Sequence, residues 1–182
     1  MTILYTERLR LEPFCDAHID GLTELNRHPE VMRYITGKPA TRDDTIAMIE
    51  LVKPRWVQYG FSWWSFFEKS SNDLIGAGCI QYLGRDPANP HEIGWRLRPD
   101  KWGQGFAMEA AIAMANFAFD ELHAPELVAV CMPENTSSSG VMKKLGMTYR
   151  GEERWYDMDT AVYGMSADAW RNQTHSTIKQ KT

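Results

Sequence analysis

The order of elements along the 182 residues predicts a mixed α/β fold, a mostly antiparallel sheet that contains at least one parallel pair. Three observations carry this. Two helical stretches precede the first long strands. Short apolar segments of strand length recur at residues 61–67, 74–82, 92–98, 127–132, 147–155 and 161–166. Between residues 92 and 132 a strand, a helix and a strand follow one another, and such a crossover returns the chain parallel to its start.

Taken in order, residues 8–14 (RLRLEPF) alternate large apolar residues with charges, as a strand with one exposed face does. Residues 16–26 carry Ile19, Leu22 and Leu25 at helical spacing, with Asp16 placed to cap them. His28-Pro29-Glu30 restarts a helical turn with proline at its first position. Asp43 or Asp44 is placed to cap a longer helix to Tyr59, which Pro54 should kink or split. Strands 61–67 and 74–82 flank the turn Ser70-Ser71-Asn72-Asp73. A helix from Gly105 to about Leu122 repeats Phe106, Ala110, Met114, Phe117 and Ala118 on one side. Strand 127–132, helix 136–145 and two closing strands follow. Nothing reads as a linker or a repeat, so residues 1–170 are expected to form one domain and residues 171–182 a polar, loose tail.

A net charge of −4 argues against nucleic acid as the main partner, since phosphate backbones select dense Lys/Arg surfaces. Cys15, Cys79 and Cys131 lie far apart in apolar settings without CxxC spacing, which speaks for buried free thiols in a reducing compartment and against a zinc site. The first residues lack the apolar core of a signal peptide, and no run reaches the length of a membrane span. A cytoplasmic protein is expected.

Two segments carry chemistry. In Arg98-Pro-Asp-Lys-Trp-Gly-Gln-Gly-Phe-Ala-Met-Glu109, Gly103 and Gly105 stand between a strand and a helix. The first amides of a helix have no internal acceptor, and glycines let phosphate oxygens approach them. No Gly-Lys-Ser/Thr follows, and Met108 stands where a dinucleotide fingerprint has its third glycine. A plain glycine turn is the competing reading. In the second segment, residues 133–147, Asn135, Ser138, Ser139 and Met142 fall on one helical stripe, polar at its head and apolar beyond. That suits an extended amphipathic ligand. Equally, Asn135 suits an N-cap, Ser138 a solvent-facing residue and Gly146 a C-cap.

Together with Thr6-Glu7-Arg8-Leu9-Arg10-Leu11 and Pro29-Glu30-Val31-Met32-Arg33-Tyr34, these blocks resemble the GCN5-related N-acetyltransferase (GNAT) superfamily. The resemblance is to its ribosomal-protein-alanine acetyltransferase-like (RimJ/RimL-type) branch, and it covers nearly the whole chain. It implies about seven strands with a splayed parallel central pair, residues 92–98 and 127–132, flanked by about four helices. It implies acetyl-CoA as cosubstrate and no metal. The pantetheine would bond to backbone around Leu97 as a pseudo-strand. The pyrophosphate would meet the amides of Trp102, Gly103, Gln104, Gly105, Phe106 and Ala107. Asn135 would bond the pantetheine arm, and Ser138 would lie near the thioester sulfur. Many relatives have Gln or Arg where Trp102 stands. The Tyr that some members use as an acid falls on Met142, which has no proton to give, so Ser138 is the candidate acid.

The reaction implied is direct attack of an amine on the thioester. An amine is protonated at neutral pH, so something must remove a proton first. Glu92 is the candidate base, with Asp157 and Tyr163 behind it; a solvated strand-end carboxylate is the other reading of Glu92. Phe61, Trp63, Ser65 and Phe67 share one strand face, opposite Trp64 and Phe66. Trp63 or Tyr82 could line an acceptor cleft, or serve the core. The acidic stretch 151–159 would attract a cationic acceptor. Three classes remain for a monomer or homodimer: transfer to a protein N-terminus, transfer to a small amine, or a non-catalytic acyl-CoA sensor.

Overall fold

The structure, a computed structural model, describes residues 1–179 and the side chains of residues 1–173. The order of elements is β1 (Leu4–Tyr5), β2 (Leu9–Pro13), α1 (Ile19–Asn26), α2 (Pro29–Met32), α3 (Arg42–Tyr59), β3 (Trp63–Glu68), β4 (Leu74–Tyr82), β5 (His91–Leu97), α4 (Phe106–Asn116), β6 (Glu126–Cys131), α5 (Thr136–Leu145), β7 (Thr148–Trp155), β8 (Met158–Ser166) and α6 (Ala167–Lys179). This is the mixed α/β class expected, antiparallel in its pairings except between β5 and β6. Beyond the expected strands there is the short β1. Residues 171–179, expected as tail, continue α6, and residues 180–182 lie outside the described residues. Chain packing divides into two compact units, residues 1–81 with 94–114, and residues 82–93 with 115 onward.

In the first unit β1, β2, β3 and β4 form an antiparallel run, with Leu11 opposite Phe66 and Trp64 opposite Gly78. Phe14, Leu22, Leu25, Ile49, Val52 and Ala77 make a core in which α1 and α3 cover the sheet, with Trp63 and Phe67 packed against it. Trp64 and Phe66 are fully buried on the opposite face. The helices start differently from the sequence expectation. A 3-10 turn, Asp16–His18, precedes α1 without side-chain capping, and Asp16 pairs instead with Lys53 Nζ at 2.8 Å. The cap of α3 is Thr41, whose hydroxyl accepts from Asp44 N at 3.1 Å while Asp44 Oδ2 accepts from Thr41 N at 2.8 Å. Asp44 is thus the returning half of a capping box. Helix α3 runs unbroken through Pro54 to its left-handed Gly60.

In the second unit β6 pairs in parallel with the start of β5, His91 opposite Leu127 and Glu92 opposite Val128. It pairs antiparallel with β8, which pairs with β7. The helix α4 ends in a π-helical turn, Phe117–Glu121, where a continuous helix was expected. Trp170 of α6 stacks on Phe119 at 5.8 Å and donates its indole N–H to Asn116 Oδ1 at 3.1 Å. Cys79 and Cys131 are buried free thiols, but Cys15 is exposed, against the expectation for all three. Among the described residues no helix is long and apolar enough to cross a membrane.

One close approach sets the exit of β5. A Cβ on Gly78 would lie 2.7 Å from Gly94 O and 2.5 Å from Phe66 Cζ; one on Gly76 would lie 2.6 Å from Arg96 O. Hydrogen is the only substituent that fits. Gly78→Ala should therefore lower stability by about 2 kcal/mol, in the range of overpacked cores, because a backbone carbonyl cannot rotate away. Urea unfolding measures it; an unchanged midpoint would refute the close approach.

Candidate functional site

From Leu97 the chain makes a 3-10 turn, Pro99–Lys101, and then four residues of open turn before α4 begins at Phe106. The turn is pinned from inside. Arg98 N donates to Ile75 O at 2.8 Å, and Arg98 grips Asp100 with two bonds of 2.9 and 2.7 Å. Gln104 Nε2 donates to Asp100 O at 2.8 Å. Lys101 Nζ reaches Glu68 at 2.6 Å. Gly103 and Gly105 have φ of +71° and +85°, the left-handed region in which a side chain is strained. The glycines are required by the turn itself. Consequently Gly105→Val, which the sequence suggests as a clean probe of phosphate binding, would also strain the backbone.

The result of this geometry is a row of free donors. From Gly103 to Met108 no backbone N–H has a hydrogen-bond acceptor among the described residues; the first helical bond is Glu109 N to Gly105 O, 3.0 Å. Unsatisfied amides at the positive end of an 11-residue helix favour negative charge beside them. Trp102, nearly half exposed, turns its indole back and donates to Leu97 O at 2.9 Å. The carbonyl of Leu97, in the stretch expected to meet pantetheine, is thus already engaged by Trp102.

The N-terminal strand region holds this turn through one carboxylate. Glu109 Oε1 accepts from Thr6 Oγ1 at 2.5 Å and from Arg8 N at 2.8 Å, and Glu109 Oε2 accepts from Arg8 Nε at 2.7 Å. Arg8 Nη1 donates to Gln104 O at 3.0 Å, and the guanidinium lies 4.3 Å above the Phe106 ring. Burial works to raise the pKa of Glu109, but the bonds from Thr6 and Arg8 outweigh it and hold the carboxyl below its usual range. Sequence reading had Thr6 and Arg8 as part of a motif without a task. Their contact with Glu109 spans about a hundred residues and leaves no local signal.

In the second unit, Asn135 is the N-cap of α5, its Oδ1 accepting from Ser138 N at 3.1 Å, and Gly146 is the left-handed C-cap. Ser138 is half-buried, and its hydroxyl has no protein partner among the described residues. Met142 is buried. Glu92 is no solvated strand end. It is 6% exposed, and its Oε2 accepts a short hydrogen bond from the hydroxyl of Tyr156. That hydroxyl in turn accepts from Gly84 N at 3.0 Å, so its single proton is committed to Glu92. Tyr156 and Asp157 form the two-residue turn between Trp155 and Met158, both at positive φ. Asp157 is exposed, and Tyr163 packs edge-on to Tyr149 at 5.4 Å. The residue on Glu92 is Tyr156, which lies beside Asp157 in sequence but was not singled out.

Glu109 gives the turn a pH signature. Its native pKa is depressed, so its contribution is fully present above the ordinary Glu value of about 4.3 and is lost as pH falls through the native value. Glu109→Gln should cost about 2 kcal/mol at neutral pH, the scale of hydrogen bonds to a charged group. The difference from the parent should shrink in the acid. Denaturant midpoints at pH 7 and pH 3.5 check both; a constant gap would mean the carboxylate charge contributes nothing.

Comparison with known proteins agrees with these pieces. The acetyltransferase (GNAT) domain matches residues 8–148. The FsC-acetyl coenzyme A-N(2)-transacetylase of Aspergillus fumigatus is 32% identical over 155 residues, 80% of this chain and 65% of its own length. The chain thus spans just under two thirds of that relative. A GNAT-family acetyltransferase structure from Bacillus anthracis superposes with a TM-score of 0.79 at 25% identity, covering 92% of this chain and 99% of the other. RimL, a ribosomal L7/L12 α-N-protein acetyltransferase solved with coenzyme A, shares the fold at a TM-score of 0.79 and 18% identity, over 92% of this chain and 99% of its own. Among the described residues no cluster of His, Cys, Asp and Glu is placed to hold a metal. The chain belongs to the GNAT acetyltransferase family, whose cosubstrate is acetyl-CoA.

Proposed function

We propose that this acetyl-CoA-dependent N-acetyltransferase transfers the acetyl group to a primary amine by direct attack in a ternary complex, with its pyrophosphate site at the amides of Gly103 to Ala107. The observation that carries the reading is the row of amides without acceptors at the start of α4. Gly103, Gln104, Gly105, Phe106 and Ala107 would bind the pyrophosphate, whereas Trp102, expected to join them, has its amide on Pro99 O at 3.2 Å and its indole on Leu97 O at 2.9 Å. By family resemblance Leu97 and Asn135 would meet the pantetheine arm.

In the reaction the amine nitrogen bonds to the thioester carbonyl carbon as the carbon–sulfur bond breaks. The amine loses a proton, and the departing thiolate gains one. Glu92 is the proposed proton acceptor, directly or through water. Tyr156 is the positioning residue that holds its carboxylate, since the hydroxyl can only donate to it. Ser138, with its hydroxyl free, is the proposed donor to the thiolate. Rate would come chiefly from positioning and from fixed donors.

Turnover of acetyl-CoA against a panel of peptides and small amines, read as free thiol, tests the function. Calorimetry with coenzyme A tests the site. Absence of both binding and turnover would sink the reading. Ser138→Ala should lower kcat more than it raises the KM for acetyl-CoA; a loss confined to KM would make Ser138 a binding residue. General bases contribute about 10²–10⁴-fold, so Glu92→Gln should lower kcat at least about tenfold at neutral pH. The deficit should narrow as pH rises and the amine arrives deprotonated. Tyr156→Phe should give a smaller loss with a shifted pH–rate profile. Full kcat with an unchanged profile in both variants would remove the pair from the chemistry.

A further inference from the structure

A buried cation in the first unit has no counter-charge. Arg96, in β5, is 7% exposed, whereas surface arginines such as Arg8, Arg27, Arg42, Arg98 and Arg154 each hold a carboxylate. Its hydrogen-bond and ring contacts are neutral, and the neighbouring Cys79 thiol is the one titratable group that favours its charged form. Nε donates to Asn26 Oδ1 at 3.1 Å, Nη2 lies 3.7 Å from the Met48 thioether, and the guanidinium carbon stands 4.8 Å from the Trp63 ring centroid. Among the described residues no Asp or Glu pairs with it. Burial lowers its pKa to about 10, which still leaves it charged at neutral pH.

The surroundings are held in place as a receptor would be. Asn26 is 2% exposed, and its Nδ2 donates to Thr45 Oγ1 at 3.3 Å, which donates to Thr41 O at 3.1 Å. That chain fixes the amide so that its carbonyl faces Arg96. The Trp63 indole donates to Gln81 Oε1 at 3.4 Å, which orients the ring. Oxygen satisfies only one edge of the guanidinium, and a thioether is a weak acceptor. A buried charge left this way is costly unless something pairs with it.

We propose that Arg96 binds the carboxylate of the amine acceptor, so that the second substrate is a small amino acid-like molecule carrying both an amine and a carboxylate. This rests on the acetyltransferase reading above. The planar fork of a guanidinium matches a carboxylate with two parallel bonds. A single cation walled by an indole and a thioether balances a monoanion; a phosphate monoester would bring a second charge, and no second cation is among its contacts. Thus Arg96 is a specificity-determining residue, and Trp63 offers the apolar wall beside it.

The test compares the common L-amino acids, β-alanine and 4-aminobutyrate with their carboxamides as acceptors, by thiol release from acetyl-CoA. At least one acid should exceed its amide in kcat/KM by about tenfold or more, since a site built for a polar group rejects the analogue lacking it. Arg96→Met, similar in length and apolar, should bring that ratio to within about twofold with coenzyme A affinity by calorimetry unchanged. Its melting temperature should fall only modestly, because loss of the uncompensated charge offsets the donor that buried Asn26 Oδ1 loses. Arg96→Lys, which keeps charge without the fork, should give an intermediate ratio and serves if the Met variant does not fold. Equal acids and amides, no turnover of either, or a ratio retained in both variants would overturn the proposal. Should coenzyme A itself fail to bind, the acetyltransferase reading falls separately. The carboxylate site is then decided by whether acids raise the melting temperature of the parent more than amides do, and of Arg96→Lys less.

Discussion

The close approach of β4 to the second half of β5 is the constraint on which the turn before α4 depends. With Gly76 and Gly78 against the carbonyls of Arg96 and Gly94, β5 leaves the sheet along one path, and Arg98 is tied at once to Ile75. From that fixed exit the turn has few options. Two left-handed glycines bring it into α4, and the carboxylate of Glu109 locks the first turn of that helix to Thr6 and Arg8. The open amides are preorganised by neighbours that do not themselves occupy them. Such preorganisation spares a ligand the cost of ordering its own site.

How much of this was legible in the sequence depended on how local its cause was. Helix α5 and strand β4 have the bounds that periodicity and turn residues gave them, because caps, glycines and alternation act within a few residues. Asp16, and Asp43 or Asp44, were expected as caps and are not, for a related reason. Several polar residues stood near each helix start, and only backbone geometry chose Thr41 for one and none for the other. Pro54 was expected to kink or split α3, yet the helix is not split there, and Ile49, Val52 and Trp56 pack into the core on either side of it.

The site divided in the same way. Gly103 and Gly105 announced a turn, and Asn135 announced a cap, from their residue types alone. Glu92 was named for its position, with a solvated strand end as its other reading, since its partner Tyr156 lies 64 residues away. Arg96 drew no attention, and its acceptor Asn26 is 70 residues distant. Nothing in a linear pattern says that one arginine among many will be buried without a carboxylate. Charge balance is a property of the folded neighbourhood.

The hairpin that presents Tyr156 shows where foldability and design have parted. A two-residue turn at positive φ favours Asn-Gly, yet this one is built from Tyr156 and Asp157, at φ of +55° and +61°. Each such residue costs about 1–2 kcal/mol relative to a relaxed backbone. A stabilising redesign guided by turn statistics would replace the pair first to relieve that strain. It would also cut the tether on Glu92, leaving that buried carboxylate without the hydroxyl that faces it. Thermostability screens of this fold should therefore treat the β7–β8 tip as a position to be left alone, however poor its turn score.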